Sequence, residues 1–416
     1  MSGGKLDFRV AGAVLRGVPP VWHRAPTRLT AVDAEALEIR MSVALEPAPC
    51  SGDLAPPRFD RVALVPGREL SDDLVAAWHA IVAERPSLAG PFFQPEFTRV
   101  VAQHRDDVLV AVLEAAGRPI GFFPFQRGRS GAGKPVGGPL SDYQAVISAA
   151  PWQGCAAELV RACRLASWDF NHLLAEEQAF APYQWSTAES PCLELGRGFA
   201  AYAQDRAAAG TDVIPKAKRA ARILERDLGP VRLELHDTDP RVLDTLFRWK
   251  AEQFERTDLA NTFAVPWIER LLREIAATQT PCFSGMVTTL YAGDRLAAVI
   301  YGLRAGTILH NWIFAFEREL SKHSPGMVLL VKLAEAAPEL GIERIDLGKG
   351  PEQYKARLMN GAVPLTEGAV DLRLVRPLVR RGVRAVRNIV HDPRLSPWLR
   401  TPLRIYRQLR AKSELS

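Results

Sequence analysis

The stretch SPGMVLLVKLAEAAPELGIERIDLGKGPEQYK, residues 324–355, decides the fold. After Ser324, Pro325 and Gly326, the residues Val328, Leu329, Leu333, Ala336 and Ala337 share one face at helical spacing, so a helix is predicted over 326–340. Gly341 stops it, residues 344–347 read as a short strand, and Gly348-Lys349-Gly350 leads into a segment over 352–359. Working backwards, the spacing predicts a basic helix over 216–227, an alternating strand over 231–236 and helices over 243–255 and 267–277. Strands follow over 283–291, 296–303 and 308–316, the first two joined across Ala292-Gly293-Asp294, with a loop from 317 to 325. That order makes a sheet with a helix start pointed at one edge. Free backbone N–H groups and the helix dipole face outward there, which makes it a phosphate or pyrophosphate site by default.

Further towards the N-terminus the same grammar recurs. Ser71 and Asp72 offer an N-cap to a helix carrying Leu74, Val75, Trp78, Ile81 and Val82, and Pro95 opens a second with Phe97, Val100 and Val101. Strands over 108–115 and 119–126 meet at a turn containing Gly117. A glycine-rich loop over 128–140, a helix over 155–167 and a strand over 168–174 complete a mixed α/β unit. The loop ends in no phosphate fingerprint, since Gly133-Lys134-Pro135 lacks the Ser or Thr that follows the lysine of such a loop.

Composition narrows the class. A chain of 416 residues, 47% hydrophobic and 24% charged, has the material for two domains or one duplicated fold and the mix of a globular enzyme. The most apolar stretch, 283–303, is broken by Asp294 and Arg295, so no run approaches the roughly 20 apolar residues that cross a bilayer. Residues 1–18 lack the continuous apolar core of a secretory signal. Five cysteines without a Cys-x-x-Cys pair and eight histidines without a metal-binding spacing indicate neither a disulfide framework nor a metal site, and a reducing cytoplasm fits best. The net charge of +6 is uneven: from Arg373 onward twelve Arg and Lys face only Asp392 and Glu414, so the body is mildly acidic and the tail basic. In that tail, Val379, Val383, Val386 and Val390 form one helical stripe and Arg380, Arg384 and Arg387 another. Basic amphipathic helices of this kind suit an anionic membrane surface, at the inner face for a cytoplasmic protein, or a cyclic dinucleotide. No DNA partner is expected.

Ser324-Pro325-Gly326, then Asp346-Leu347-Gly348-Lys349-Gly350 and Tyr354-Lys355, resemble in that order the N-acyltransferases of the GNAT superfamily. Within it they look most like the tandem-GNAT group associated with cellulose and exopolysaccharide synthesis, which is related to Fem-type peptidyltransferases. Ile120-Gly121-Phe122-Phe123-Pro124-Phe125 and Leu140-Ser141-Asp142-Tyr143 fit the upstream repeat of that group. The resemblance covers about residues 65–370 and implies an α/β (α+β) fold of two GNAT-like mixed-sheet units in tandem. The organisation expected is an N-terminal extension (1–58), a first unit (59–190), a second unit carrying the active cleft (191–372) and a basic helical C-terminal extension (373–416). It implies acyl transfer from acyl-CoA, acetyl-CoA or longer and without a metal, to an amino group of an amino sugar or glycolipid. Fem-type enzymes take the acyl group from aminoacyl-tRNA instead, and Ser324-Pro325-Gly326 departs from the ordinary GNAT pyrophosphate loop. A non-catalytic effector that keeps the fold and senses an anionic ligand is a third reading.

Acyl transfer to an amine needs a deprotonated amine, a polarised carbonyl and both held in line. Asp346 ends its strand just before a glycine pair, where it either faces a cleft or caps the following turn. His310, in the strand over 308–316, is the histidine placed as a general base, against the plainer role of a satisfied core residue; Glu317 and Glu319 are the alternative bases. By the resemblance, Tyr354 and Lys355 line the reaction channel, Tyr354 protonating the leaving thiolate and Lys355 steadying an oxyanion or a donor phosphate. Lys322, His323, Ser324, Pro325, Gly326 and Met327 are the candidates to hold the carrier's phosphates. Lys218, Arg219 and Arg222, with Gly348 and Gly350, are the candidates to meet the acceptor.

Overall fold

Val108, Val110 and Val112 enter one apolar core while Ala111 and Leu113 enter another, so the strand they share needs cover on both faces. That demand shapes the molecule, seen here as a computed structural model describing residues 59–257, 261–350 and 352–373. The expected N-terminal extension and the basic helices of the tail lie outside the described residues. The strands are β1 (Arg61–Pro66), β2 (Val108–Ala115), β3 (Arg118–Arg127), β4 (Ala132–Lys134), β5 (Ile147–Ser148), β6 (Ser167–Leu174) and β7 (Gln184–Glu194). They continue as β8 (Val231–Glu234), β9 (Ser284–Ala292), β10 (Arg295–Ala305), β11 (Ile308–Phe316), β12 (Arg344–Asp346) and β13 (Gly361–Asp371). The helices are α1 (Asp72–Glu84), α2 (Pro95–His104), α3 (Ala156–Ala162), α4 (Phe199–Ala208) and α5 (Val213–Leu228). After them come α6 (Pro240–Thr257), α7 (Pro266–Ala277), α8 (Pro325–Ala336) and α9 (Gln353–Leu358).

Among the described residues the strands form one sheet in the order β1-β2-β3-β4-β6-β13-β7-β12-β11-β10-β9-β8, with β5 beside β3. Pairing is antiparallel except between β4 and β6 and between β11 and β12. The two sides of the sheet therefore mirror each other, each an antiparallel ladder that reaches a parallel pair and then one further strand. Those further strands are exchanged. β13, late in the chain, lies against β6, while β7 lies against β12, and β7 and β13 pair along the centre from Gly361↔Cys192 to Gly368↔Gln184. Residue 190, where the two units were expected to divide, falls inside β7.

On one face, α1, α2, α6 and α7 share a single core, with Trp78, Phe97, Leu246 and Leu271 in it. The opposite face carries two cores, one under α4, α5 and α8 and one under α3. Helix α8 buries Val328, Leu329, Leu330, Val331, Leu333 and Ala334, apolar nearly all round as a core helix must be. Trp78, fully buried, stacks on Phe122 at 4.8 Å and donates its indole N–H to the Phe93 carbonyl at 2.8 Å, pinning the loop after α1. Arg85, also buried, ties that loop to Glu177 at 2.7 Å and to the Val146 carbonyl at 3.2 Å.

Several expectations need correction. The helix predicted over 155–167 ends at Ala162, because Arg164 takes a positive φ of 55° and Ser167 already belongs to β6. The helix predicted over 326–340 ends at Ala336 and tightens into a 3₁₀ turn, since Pro338 removes a donor. The glycine-rich loop contains β4. β1, β5, β7, β13 and α4 lie outside the predicted elements: Gln184–Glu189 of β7 is mostly exposed and polar, and β13 carries Pro364, Gly361 and Gly368. The hairpin between β2 and β3 turns on Ala116 and Gly117, with φ of 50° and 72°, the left-handed pair that a two-residue turn needs.

Candidate active site

The parallel ladder between β11 and β12 is three pairs long, Ile308↔Arg344, Leu309↔Ile345 and His310↔Asp346, and stops there. β11 continues along β10 to Phe316, while the chain after Asp346 turns at Gly348, whose φ is 71°. His310 and Asp346 thus end the ladder side by side. Asp346 Oδ1 accepts from Ser190 Oγ at 2.7 Å and from the Gly348 N–H at 2.8 Å, and Oδ2 accepts a short bond from the Tyr143 hydroxyl. His310 Nε2 lies 2.9 Å from Asp142 Oδ2, and Nδ1 lies 3.3 Å from Asp346 Oδ1 without an aligned hydrogen bond. Phe92 closes edge-on over the imidazole at 5.0 Å between centroids. The result is a line, Asp142–His310–Asp346, whose inner end is sealed and whose outer end is wet: the side chains of Asp346 and Asp142 are 4% and 24% exposed.

The charge on this line follows from its geometry. Burial disfavours an imidazolium, but the hydrogen bond with Asp142 and then the close Asp346 carboxylate outweigh it and hold His310 up at about 9. Burial likewise works against the Asp346 carboxylate, yet His310 first, then Tyr143 and Ser190, keep it below its ordinary range. Burial, with the Asp346 charge behind it, holds Tyr143 well above an ordinary phenol. At neutral pH the line is therefore one imidazolium between two carboxylates, with a net charge of −1. His172, 4.0 Å from Asp142, is pushed by burial down to about 4 and stays neutral. A cavity of about 250 Å³ opens onto the line, walled by Pro86, Ser87, Phe93 and Tyr143 on one side and by His310 and Asp346 on the other.

This placement makes His310, read as a general base or a satisfied core residue, a buried partner of both Asp142 and Asp346. It also merges the two readings of Asp346, which caps the turn at Gly348 and partners His310 at once. Gly348 lies at the centre: a Cβ there would stand 3.7 Å from both Asp142 Oδ2 and His310 Cε1. Lys355 is buried, not a surface lysine, and its ammonium donates to the carbonyls of Gly348 at 3.0 Å and Lys349 at 3.3 Å while pairing with Glu352 at 3.1 Å. A Cβ on Gly350 would come within 2.9 Å of that ammonium, so Gly350 belongs to the same loop packing. Tyr354 sits apart, its ring 6.2 Å from that of Phe314, and burial raises its phenol above the ordinary value.

At the start of α8, Lys322 and Ser324 are exposed and His323 is buried 3.8 Å from Asp227. The N–H groups of Met327 and Val328 turn back onto the Ser324 carbonyl at 3.0 and 3.2 Å. Pro325 has no N–H, and Phe314 packs so closely on Gly326 that a Cβ would fall 2.3 Å from its ring. Lys218 pairs with Glu335 at 2.8 Å, in the last turn of α8, about 15 Å from Pro325 at 1.5 Å per residue. Arg219 and Arg222 are exposed on the same helix. The basic face of α5 thus serves the far end of α8. Glu319, an alternative base, pairs with Arg295 at 2.9 Å, and Glu317 is half-buried. Asp142, Tyr143, Ser190 and Phe92 join the site from outside the sequence-based candidates; Asp142-Tyr143, closing a glycine-rich loop, carries a visible signal.

The ladder thus ends at a buried line of titratable side chains beside the start of a core helix. Residues 214–356 match the family described as acetyltransferase (GNAT) domain, a span that holds α5, the ladder from β8 to β12, and both His310 and Asp346. No curated protein matches the chain. Among solved structures, a tandem GNAT protein from the clavulanic acid biosynthesis pathway is 12% identical, with 75% of this chain and 99% of that one covered at a TM-score of 0.43. A C-terminal domain assigned to a lysylphosphatidylglycerol synthetase of Agrobacterium fabrum is also 12% identical, covering 74% and 97% at 0.43. FemX is 9% identical, covering 66% and 89% at 0.41.

Proposed function

We propose that the protein moves an acyl group from acyl-CoA to a primary amine seated in the cavity that His310 and Asp346 line, with Asp142 behind His310. The observation that carries this reading is the convergence of two carboxylates, Asp142 and Asp346, on one buried imidazole. An amine reaches the site as an ammonium, and a buried anionic wall attracts it and then has to take its proton. Asp142, the wet carboxylate, receives that proton, while His310 keeps its own and Asp346 stays ionised. The neutral nitrogen then attacks the acyl carbon, the C–N bond forms, the C–S bond breaks, and the proton left on nitrogen goes to the departing thiolate, with Tyr354 the candidate to pass it. Ligand pockets usually run from roughly 300 to 1,000 Å³, so a cavity of about 250 Å³ suits one amino-sugar head rather than an oligomer. An amino sugar of an envelope or secreted polysaccharide is the acceptor class we assign, in line with the exopolysaccharide-associated proteins the sequence resembles.

One observation favours a second donor. The Ser324 and Met327 N–H groups at the start of α8 are satisfied by the Ser321 and Ser324 carbonyls and Phe314 covers Gly326, which leaves a poor cradle for a pyrophosphate and suits the aminoacyl-tRNA of Fem-type enzymes. Thermal unfolding with acetyl-CoA, longer acyl-CoAs and charged tRNA separates the two, since a donor that binds only the folded chain raises its midpoint. A rise with acyl-CoA and none with charged tRNA supports the first reading; the reverse replaces it with the second.

A further inference from the structure

His79 on α1, Glu96 in the first turn of α2 and Cys282 in the loop between α7 and β9 are far apart in sequence and form no linear metal-binding motif. In space they converge. His79 Nε2 lies 3.0 Å from Glu96 Oε1, and one ligand atom from each of the three residues falls within 4.8 Å of the other two. We propose that these side chains bind one divalent transition-metal ion, Zn²⁺ by their chemistry, which clips the helices of the first half to the α7–β9 loop of the second.

Several features support the site. Imidazole, carboxylate and thiol together are a borderline-soft donor set that suits Zn²⁺ and disfavours Mg²⁺ or Ca²⁺. With Zn–S of about 2.3 Å and Zn–N of about 2.0 Å, tetrahedral ligands stand about 3.3–3.8 Å apart, so shifts of an ångström or less close the observed triangle around an ion. Glu96 Oε2 is buried without a hydrogen-bond partner, a state the His79 contact leaves uncorrected and a cation removes. The Cys282 thiol is free, so its sulfur is available to an ion. Binding replaces the thiol proton by the metal: one S–H bond breaks, one S–metal bond forms, and one proton leaves to solvent. His79 and Glu96 keep 27% and 18% of their side chains exposed, which gives the ion a way in and a water the fourth position. The same two halves already meet nearby through His104 and Glu274 at 2.7 Å, so the ion would strengthen an existing junction.

The test uses the full chain, stripped with a chelator and titrated with Co²⁺ and then Zn²⁺. We expect a one-to-one Co²⁺ complex with a thiolate charge-transfer band and tetrahedral visible bands, displaced by Zn²⁺, and a thermal midpoint raised by Zn²⁺. Cys282→Ser should abolish the charge-transfer band, and Glu96→Gln should weaken Zn²⁺ binding at least tenfold. Circular dichroism of each variant checks that it has folded, and a variant that has not is replaced by His79→Gln. The proposal is overturned by wild-type protein that shows no thiolate band with Co²⁺, by a band that survives Cys282→Ser, or by Zn²⁺ that leaves the midpoint where it was.

Discussion

Replacing Asp346 by Asn removes one of the two carboxylates that hold the His310 proton, and the consequence can be worked from the site. His310 at about 9, against roughly 6.5 in an unfolded chain, represents about 3 kcal/mol at roughly 1.4 kcal/mol per pKa unit. Because its folded pKa is the higher one, this stabilisation is fully present below about 6.5 and is lost as pH rises through about 9. Asp346→Asn should therefore cost about 3–5 kcal/mol at pH 6, the range for breaking one partner of a buried ion pair. At pH 9.5 His310 is already largely neutral, and only bonds from Tyr143, Ser190 and Gly348 are disturbed, for about 1–2 kcal/mol. Urea unfolding at the two pH values measures both numbers. A histidine-labelled NMR titration follows the same group directly and should show His310 falling from about 9 to roughly 8 or below in the variant. A wild-type His310 that titrates near 6.5, or a variant equally destabilised at both pH values, refutes the reasoning.

Gly348→Ala forces a non-glycine residue to a φ of 71° beside His310, which should cost about 1–2 kcal/mol and lower turnover; calorimetry and steady-state rates check it. Lys355→Met leaves the Gly348 and Lys349 carbonyls without their donor and should lose about 1–3 kcal/mol and at least tenfold in turnover; unchanged kinetics would take Lys355 out of the site. Gly326→Ala drives a methyl into the Phe314 ring and should cost about 1–3 kcal/mol, with Phe314→Leu in the same chain restoring most of it in urea unfolding.

The second half was largely legible because its signals are local. The helices α5 to α8 and the ladder from β9 to β11 fall within a few residues of where apolar spacing places them, and Gly293 and Gly341 mark their ends. The exchanged strands were not legible, since β7 and β13 are defined by pairing with each other across more than 160 residues rather than by their own alternation. The site divides in the same way. His310 and Asp346 stood out beside strand ends and glycines, but Asp142 and Ser190 are separated from their partners by 168 and 156 residues, and only folding joins them. The charge of His310 was hidden for that reason: without its carboxylates a histidine in an apolar strand reads as neutral.

The central claim, that an ammonium gives up its proton to Asp142 before attacking a thioester, is tested most directly by amine-dependent release of free thiol from acyl-CoA. Wild-type protein should release thiol only when an amine acceptor is present. Asp142→Asn, with its fold confirmed by circular dichroism, should lose about 10²–10⁴-fold in kcat, the usual contribution of a placed acid or base. Wild-type rates in Asp142→Asn would contradict the account.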